Sequence, residues 1–128
     1  MKKDTIPKWQ KKCDTKFSKF IRKRDAEFGW YCISCWRFFP YEQMDAGHFV
    51  WRRCIPTRYD ETNVHWQCLR CNRYADWEQG LQFIGINKRH WKWTAERLLK
   101  IYKNYKADVK KYNIDFYKEI YGRYKHCK

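Results

Sequence analysis

The chain carries two cysteine pairs of the same spacing, Cys32-Ile33-Ser34-Cys35 and Cys68-Leu69-Arg70-Cys71. In each, the two-residue spacer makes a tight turn that aims both thiolates at one point, and two such turns supply the four sulfurs of a tetrahedral zinc ion. A single pair of this kind is also a redox motif, but that reading expects one copy set between a strand and a helix. Seven cysteines in all is an odd number and argues against a disulfide framework. Structural Zn²⁺ on Cys32, Cys35, Cys68 and Cys71 is therefore expected, with Cys13, Cys54 and Cys127 as small buried or surface thiols. Between the pairs lie 32 residues. A minimal four-cysteine ribbon has only ~15–20 there, so the insert needs structure of its own.

A zinc clamp suits a chain that is poor in core. Of its 128 residues 34% are charged, and aromatic bulk (8 Trp, 10 Tyr, 8 Phe) supplies much of the apolar material. Lys and Arg outnumber Asp and Glu by 29 to 14, a formal charge of +15. A compact particle so charged repels itself unless it meets a polyanion, and nucleic acid is the simplest one. A merely basic soluble protein and a membrane-surface protein are the alternatives; no segment sets one clean apolar face against a basic one. No stretch reaches the ~20 apolar residues of a membrane helix, and Met1-Lys2-Lys3-Asp4 is not followed by an apolar signal core. The expectation is an intracellular, cytoplasmic protein.

The length predicts one domain over 1–128, in three stretches: a basic helix within 1–29, a zinc-bound centre over 30–80, and a helical region over 81–128. Trp9 to Phe28 lacks Pro and Gly and repeats Cys13, Phe17, Phe20, Ile21 and Arg24 at helical spacing, with Gly29 ending the run. Trp93 to Tyr112 and Ile114 to Tyr124 read as two further helices, the second starting near Asn113 or Asp115. Their tyrosine stripe is expected to pack a core rather than to stack bases.

The insert is where chemistry belongs. It holds His48 and His65 with Asp45, Arg52, Arg53, Arg58, Asp60, Glu61 and Asn63, and Asn72 follows the fourth thiolate directly. Cutting a phosphodiester takes a base to activate water, a divalent cation to stabilise charge on phosphate and leaving oxygen, and ligands for that cation. One imidazole, one carboxylate and one amide suffice, and Asp45-Ala46-Gly47-His48 with Asn72 offers that set.

These residues resemble the HNH, or ββα-metal, nucleases. That group has a Cys-x-x-Cys, a His-bearing strand, an Asn five residues before the second pair, and His or Asn just after it. Here Asn63 precedes Cys68 by five and Asn72 follows Cys71. Phage endonuclease VII likewise combines two knuckles, an Asp-x-x-His and an Asn after the last Cys. A closer resemblance is to the NinG/Rap family of phage recombination endonucleases. It is carried by Phe20-Ile21-Arg22-Lys23-Arg24-Asp25, the first knuckle, Asp45-Ala46-Gly47-His48-Phe49, the run from Thr57 to Cys68, and Cys71-Asn72-Arg73. That family is described as cutting Holliday junctions and displacement loops, which is what the resemblance implies here.

The resemblance makes His48 the general base, Asp45 and Asn72 the ligands of a catalytic Mg²⁺ or Mn²⁺, and Asn63 the amide that bridges the hairpin loop and orients the base. Most HNH enzymes carry the metal-binding Asp or His immediately before the base, where this chain has Gly47. A second assignment therefore stays open, with His48 on the metal and His65 as base, His65 and Asn63 sharing a strand face. Arg52, Arg53, Arg58, Arg70 and Arg73 are expected to clamp phosphates, and Lys19, Arg22, Lys23, Lys88, Arg89 and Lys92 to extend the footprint. Trp51 and Trp66 are expected to be packed.

The fold expected is α+β, a zinc-anchored ββα-metal (HNH-like) core with an N-terminal helix and C-terminal helices. The function expected is metal-dependent cleavage of branched DNA by a homodimer paired through the C-terminal helices, since resolving a junction takes two cuts. A non-catalytic zinc-knuckle module and an HNH nuclease for ordinary duplex are the rivals. A binding module needs cysteines and cations but gives no reason for Asp45, His48 and Asn72.

Overall fold

The computed structural model describes residues 3–29, 31–74 and 79–128. The chain divides into two compact units, one of residues 1–20 with 106–128 and the other of residues 21–105. Helix α1 (Ile6–Ala26) opens with Pro7 in its first turn, where a missing N–H costs nothing, and ends in a turn closed by Gly29 at φ 98°. In the first unit, Cys13 and Phe17 of α1 pack with Tyr117, Ile120 and Tyr124 of the C-terminal helix α5 (Ile114–Tyr124). The Trp9 and Tyr121 rings meet edge to face, as do Phe17 and Tyr124, and Gln10 donates to the Tyr117 hydroxyl at 2.8 Å. The aromatic stripe of α5 is thus core within this unit. Asn113 caps α5 by accepting from the Phe116 N–H.

In the second unit, β1 (Met44–His48) pairs antiparallel with β2 (Val64–Cys68), Gly47 opposite His65 and His48 opposite Val64. The short helix α2 (Ile55–Arg58) lies in the connection between them. After β2 come a π-helical turn (Arg70–Tyr74), α3 (Gln79–Arg89) and α4 (Thr94–Asn104). The fold is α+β with a two-stranded sheet. One core cluster gathers Cys32, Met44, Trp66, Cys68 and Cys71; the other gathers Ile33, Phe49, Val50, Cys54, Ile86, Ala95 and Leu98. Gly85 lets α3 approach the first knuckle, because a Cβ there would collide with the Ile33 carbonyl.

One sequence expectation changes. The helix expected to run from Trp93 to Tyr112 stops at Asn104. Further along, Asp108 accepts from the N–H groups of Lys110 and Lys111, a local turn that competes with helix. Cys13, Cys54 and Cys127 are all buried thiols. No described helix is long and apolar enough to cross a membrane.

Candidate functional site

The first knuckle turns just before β1 and the second closes β2, and they bring Cys32, Cys35, Cys68 and Cys71 together with their sulfurs within 4.8 Å of one another. Four thiolates at ~2.3 Å from a tetrahedral ion stand roughly 3.8 Å apart, so the cluster is compatible with zinc. Backbone N–H groups of Ser34 and Cys35 point at the Cys32 sulfur, and that of Cys71 at the Cys68 sulfur.

Beside this cluster lies a cleft of about 420 Å³ whose walls include His48, Trp51, Gln67, Asn72, Gln79 and Gln82. His48 Nε2 lies 3.0 Å from the Arg58 carbonyl oxygen. A carbonyl can only accept, so in the neutral ring the proton sits on Nε2 and Nδ1 is the basic nitrogen. The loop that supplies this carbonyl is fixed by Asn63, which is fully buried. Its oxygen accepts from the Val50 N–H at 2.8 Å, and its amide nitrogen donates to the Val50 and Thr57 carbonyls at 3.2 and 3.0 Å. Asn63 thus ties the segment after β1 to α2.

Asp45 and Asn72 also meet, the Asn72 amide donating to Asp45 Oδ2 at 2.8 Å. Arg73 forks onto the same carboxylate, at 3.0 Å to Oδ2 and 3.1 Å to Oδ1. The space above Gly47 is filled from neighbouring elements. A Cβ there would collide with Gln67 Oε1 and stand 2.9 Å from Asn72 Oδ1. Two amide oxygens therefore sit where a side chain preceding His48 would project.

A family model described as Bacteriophage Lambda NinG protein matches residues 1–79, which include both knuckles and all the residues of the cleft described so far except Gln82. The chain belongs to the NinG family. It is 32% identical to Protein ninG of Salmonella phage P22, over 80% of this chain and 56% of that protein. Protein ninG of Escherichia phage 933W is 29% identical over 80% of this chain and 57% of its own length, and that of Escherichia phage lambda 28% over 80% and 56%. The chain thus spans a little over half the length of the NinG relatives it matches. No solved structure matches it.

In this NinG-family chain His65 lies apart from the cleft walls. It is fully buried, with its Nε2 2.6 Å from His90 Nε2 and its Nδ1 without a hydrogen-bond partner. Burial, then the charges of Arg24, His90 and Arg89, hold its pKa well below the usual histidine range; burial first and then Arg24 and Arg89 lower that of His90. Asn63 and His65 do not share surroundings, since Asn63 turns into the loop.

The expected phosphate clamp is divided. Arg52, Arg53 and Arg70 are exposed, Arg53 lying 4.7 Å over the Trp51 ring. Arg58 donates to the Arg52 carbonyl, and Arg73 holds Asp45. Arg89 differs from its expected place in the footprint: its side chain is 8% exposed and bonded to the buried Asp25. Trp66 is fully buried, whereas Trp51, expected to be packed, is 60% exposed on the cleft wall.

Several residues carry no sequence signal for the roles they take. Asp25 accepts from the Trp66 N–H and from Arg24 and Arg89, tying α1, β2 and α3 together. Gln82 lines the cleft with a buried Nε2 that has no hydrogen-bond partner. A lone glutamine on a helix shows neither burial nor aim in sequence.

Proposed function

We propose that the chain is a metal-dependent DNA endonuclease of the HNH type that acts on branched DNA. The observation that carries this reading is the His48 ring, bonded to a backbone carbonyl through one nitrogen and set in the cleft wall beside Asn72. That bond fixes the tautomer that a general base needs, at a ring that also lines an open cleft. His48 Nδ1 takes the proton of the attacking water, Asn63 keeps the carbonyl that orients the ring in place, and Gln82 offers its unpartnered N–H to a phosphate oxygen. The order of two antiparallel strands followed by a helix agrees with a ββα-metal core.

Asp45 and the amide oxygen of Asn72 are the donors that would hold Mg²⁺ or Mn²⁺, a fit that requires Arg73 to release the carboxylate and the Asn72 amide to turn over. The bound ion would offset charge on the phosphate and the leaving oxygen. Zinc at the four cysteines would hold the end of β2 and Asn72 in place. Resolving a junction takes paired cuts, so the reading includes a homodimer. A second reading, a zinc-knuckle module that binds DNA without cutting, is favoured by one observation: the Arg73 fork already satisfies both Asp45 oxygens.

The test incubates the purified chain with a labelled four-way junction and with the matching linear duplex, with and without Mg²⁺ or Mn²⁺, beside His48→Ala. The junction is cut, only with metal, and the variant binds without cutting. Binding without cleavage under every condition supports the module instead, and equal cutting of duplex supports an ordinary HNH nuclease.

A further inference from the structure

We infer that the C-terminal end of α3 and the first zinc knuckle carry a stacking surface for unpaired nucleobases, formed by Phe28 and Trp36 around Arg89 and continued by the exposed Trp91 and Trp93, which follow Arg89 by two and four residues. The inference rests on the DNA reading above and adds the feature of the DNA that is recognised.

The first argument is conformational. Among the described residues, the only positive-φ positions not held by glycine are Trp36 at 58° and Trp93 at 78°. Left-handed backbone is disfavoured for a bulky residue, and such positions ordinarily go to Gly or Asn. A tryptophan is usually repaid for an awkward backbone by burying its ring, yet Trp36 is 41% and Trp93 65% exposed, beside Trp91 at 74% and Phe28 at 56%. Both backbones are tied into turns, Trp36 N–H to the Cys32 carbonyl and the Trp93 carbonyl to the Arg97 N–H, so the fold fixes these positions while leaving the rings largely open to a partner outside it.

The second argument is charge. The Arg89 guanidinium lies 4.6 Å from the centre of the Phe28 ring and 5.9 Å from that of Trp36, and Asp25 holds it in place. Lys88 and Lys92 are exposed on either side, and no aliphatic side chain lies between His90 and Trp93. Open π faces flanked by cations suit bases strung on phosphates.

The third argument is spacing. Gln82 in the cleft and Arg89 are seven residues apart, hence on one stripe of α3, two turns and roughly 10 Å along its axis. Gly85 and Ile86 bury the face between them, so a strand reaching Arg89 from the cleft passes around that face, a path of at least about three nucleotides at ~3.4 Å each.

Two measurements test this. Quenching of tryptophan fluorescence by an oligothymidylate needs no cleavage, and it should weaken about tenfold or more in apparent affinity for Trp36→Ala and for Trp91→Ala/Trp93→Gly. Cleavage of duplexes bearing a short bulge at stepped positions should favour a bulge at least about three nucleotides from the cut. The preference over paired duplex, as a ratio of kcat/KM, should fall about tenfold in the same variants. Trp93→Gly should fold with an unchanged or higher Tm, since glycine suits that backbone. Wild-type quenching and preference in the variants would overturn the inference, as would a variant that alters only self-association. Absence of any cleavage with the expected quenching would sink the nuclease reading alone.

Discussion

His48 and His65 stand a single register step apart on paired strands, yet they end in opposite surroundings. His48 faces a polar cleft, with one nitrogen bonded to a carbonyl and amides from β2 and α3 around it. His65 is sealed against His90 under the Arg24, Asp25 and Arg89 network, where a proton is unwelcome. An imidazole is a usable base only where water and substrate reach it, so on the proposed reading His48 is the base and His65 a packed side chain.

The strongest way to break this contrast is to remove what would fix the end of β2. A bound structural zinc contributes on the order of 10 kcal/mol to a small domain. Cys68→Ala, or a strong chelator, should therefore unfold residues 21–105, read as loss of near-ultraviolet circular dichroism, which added zinc restores in the chelated wild type and not in the variant. A chain that keeps its fold after zinc is stripped would show that the four sulfurs are not the clamp.

Exchanging the two histidines one at a time sharpens it further. His48→Ala should lower the cleavage rate by about 10²- to 10⁴-fold, the usual worth of a positioned base, with little change in Tm. His65→Leu should leave cleavage chemistry in place. If the pair behaves the other way round, the buried histidine is the base and the cleft is incidental.

Asp25 separates the regions by stability. Asp25→Ala leaves the part-buried Arg89 and the Trp66 N–H without their acceptor, and breaking a buried pair from one side costs about 3–5 kcal/mol. Urea denaturation of Asp25→Ala should show a loss of that size, and a change under ~1 kcal/mol would mean that the network is slack.

The two knuckles are legible in the sequence because a Cys-x-x-Cys turn is local and names its own geometry. Asn63 is nearly as legible, since its place five residues before Cys68 fixes it at the mouth of β2. The fates of the histidines are not legible, because motif order gives position along the chain and says nothing of which ring α3 will cover. Gly47 looks in sequence like a missing ligand, and only the fold shows Gln67 and Asn72 reaching across the gap. Helix α3 runs through Gly80 and Gly85, and the need for Gly85, close approach to Ile33, is visible only in the fold. Trp51 reads as core because tryptophans usually are, and the exposed cleft wall is a tertiary fact.

The smallest expected effect is the dependence of stability on pH. His65 and His90 have folded pKa values below the ordinary 6.5 that they regain on unfolding. Below pH ~6.5 the unfolded chain therefore binds more protons than the folded one, and stability falls as the pH falls; above it both states are neutral there and these groups contribute no slope. The buried His65 adds at most about 1.4 kcal/mol per pH unit within that window, and the exposed His90 less, since solvent screens it. Urea midpoints between pH 5 and 8 should accordingly be level on the alkaline side and decline on the acid side. His65→Leu removes one of the two protons and the unpartnered Nδ1 together, so its acid decline should be visibly shallower. An identical decline in the variant would move the acid sensitivity away from His65.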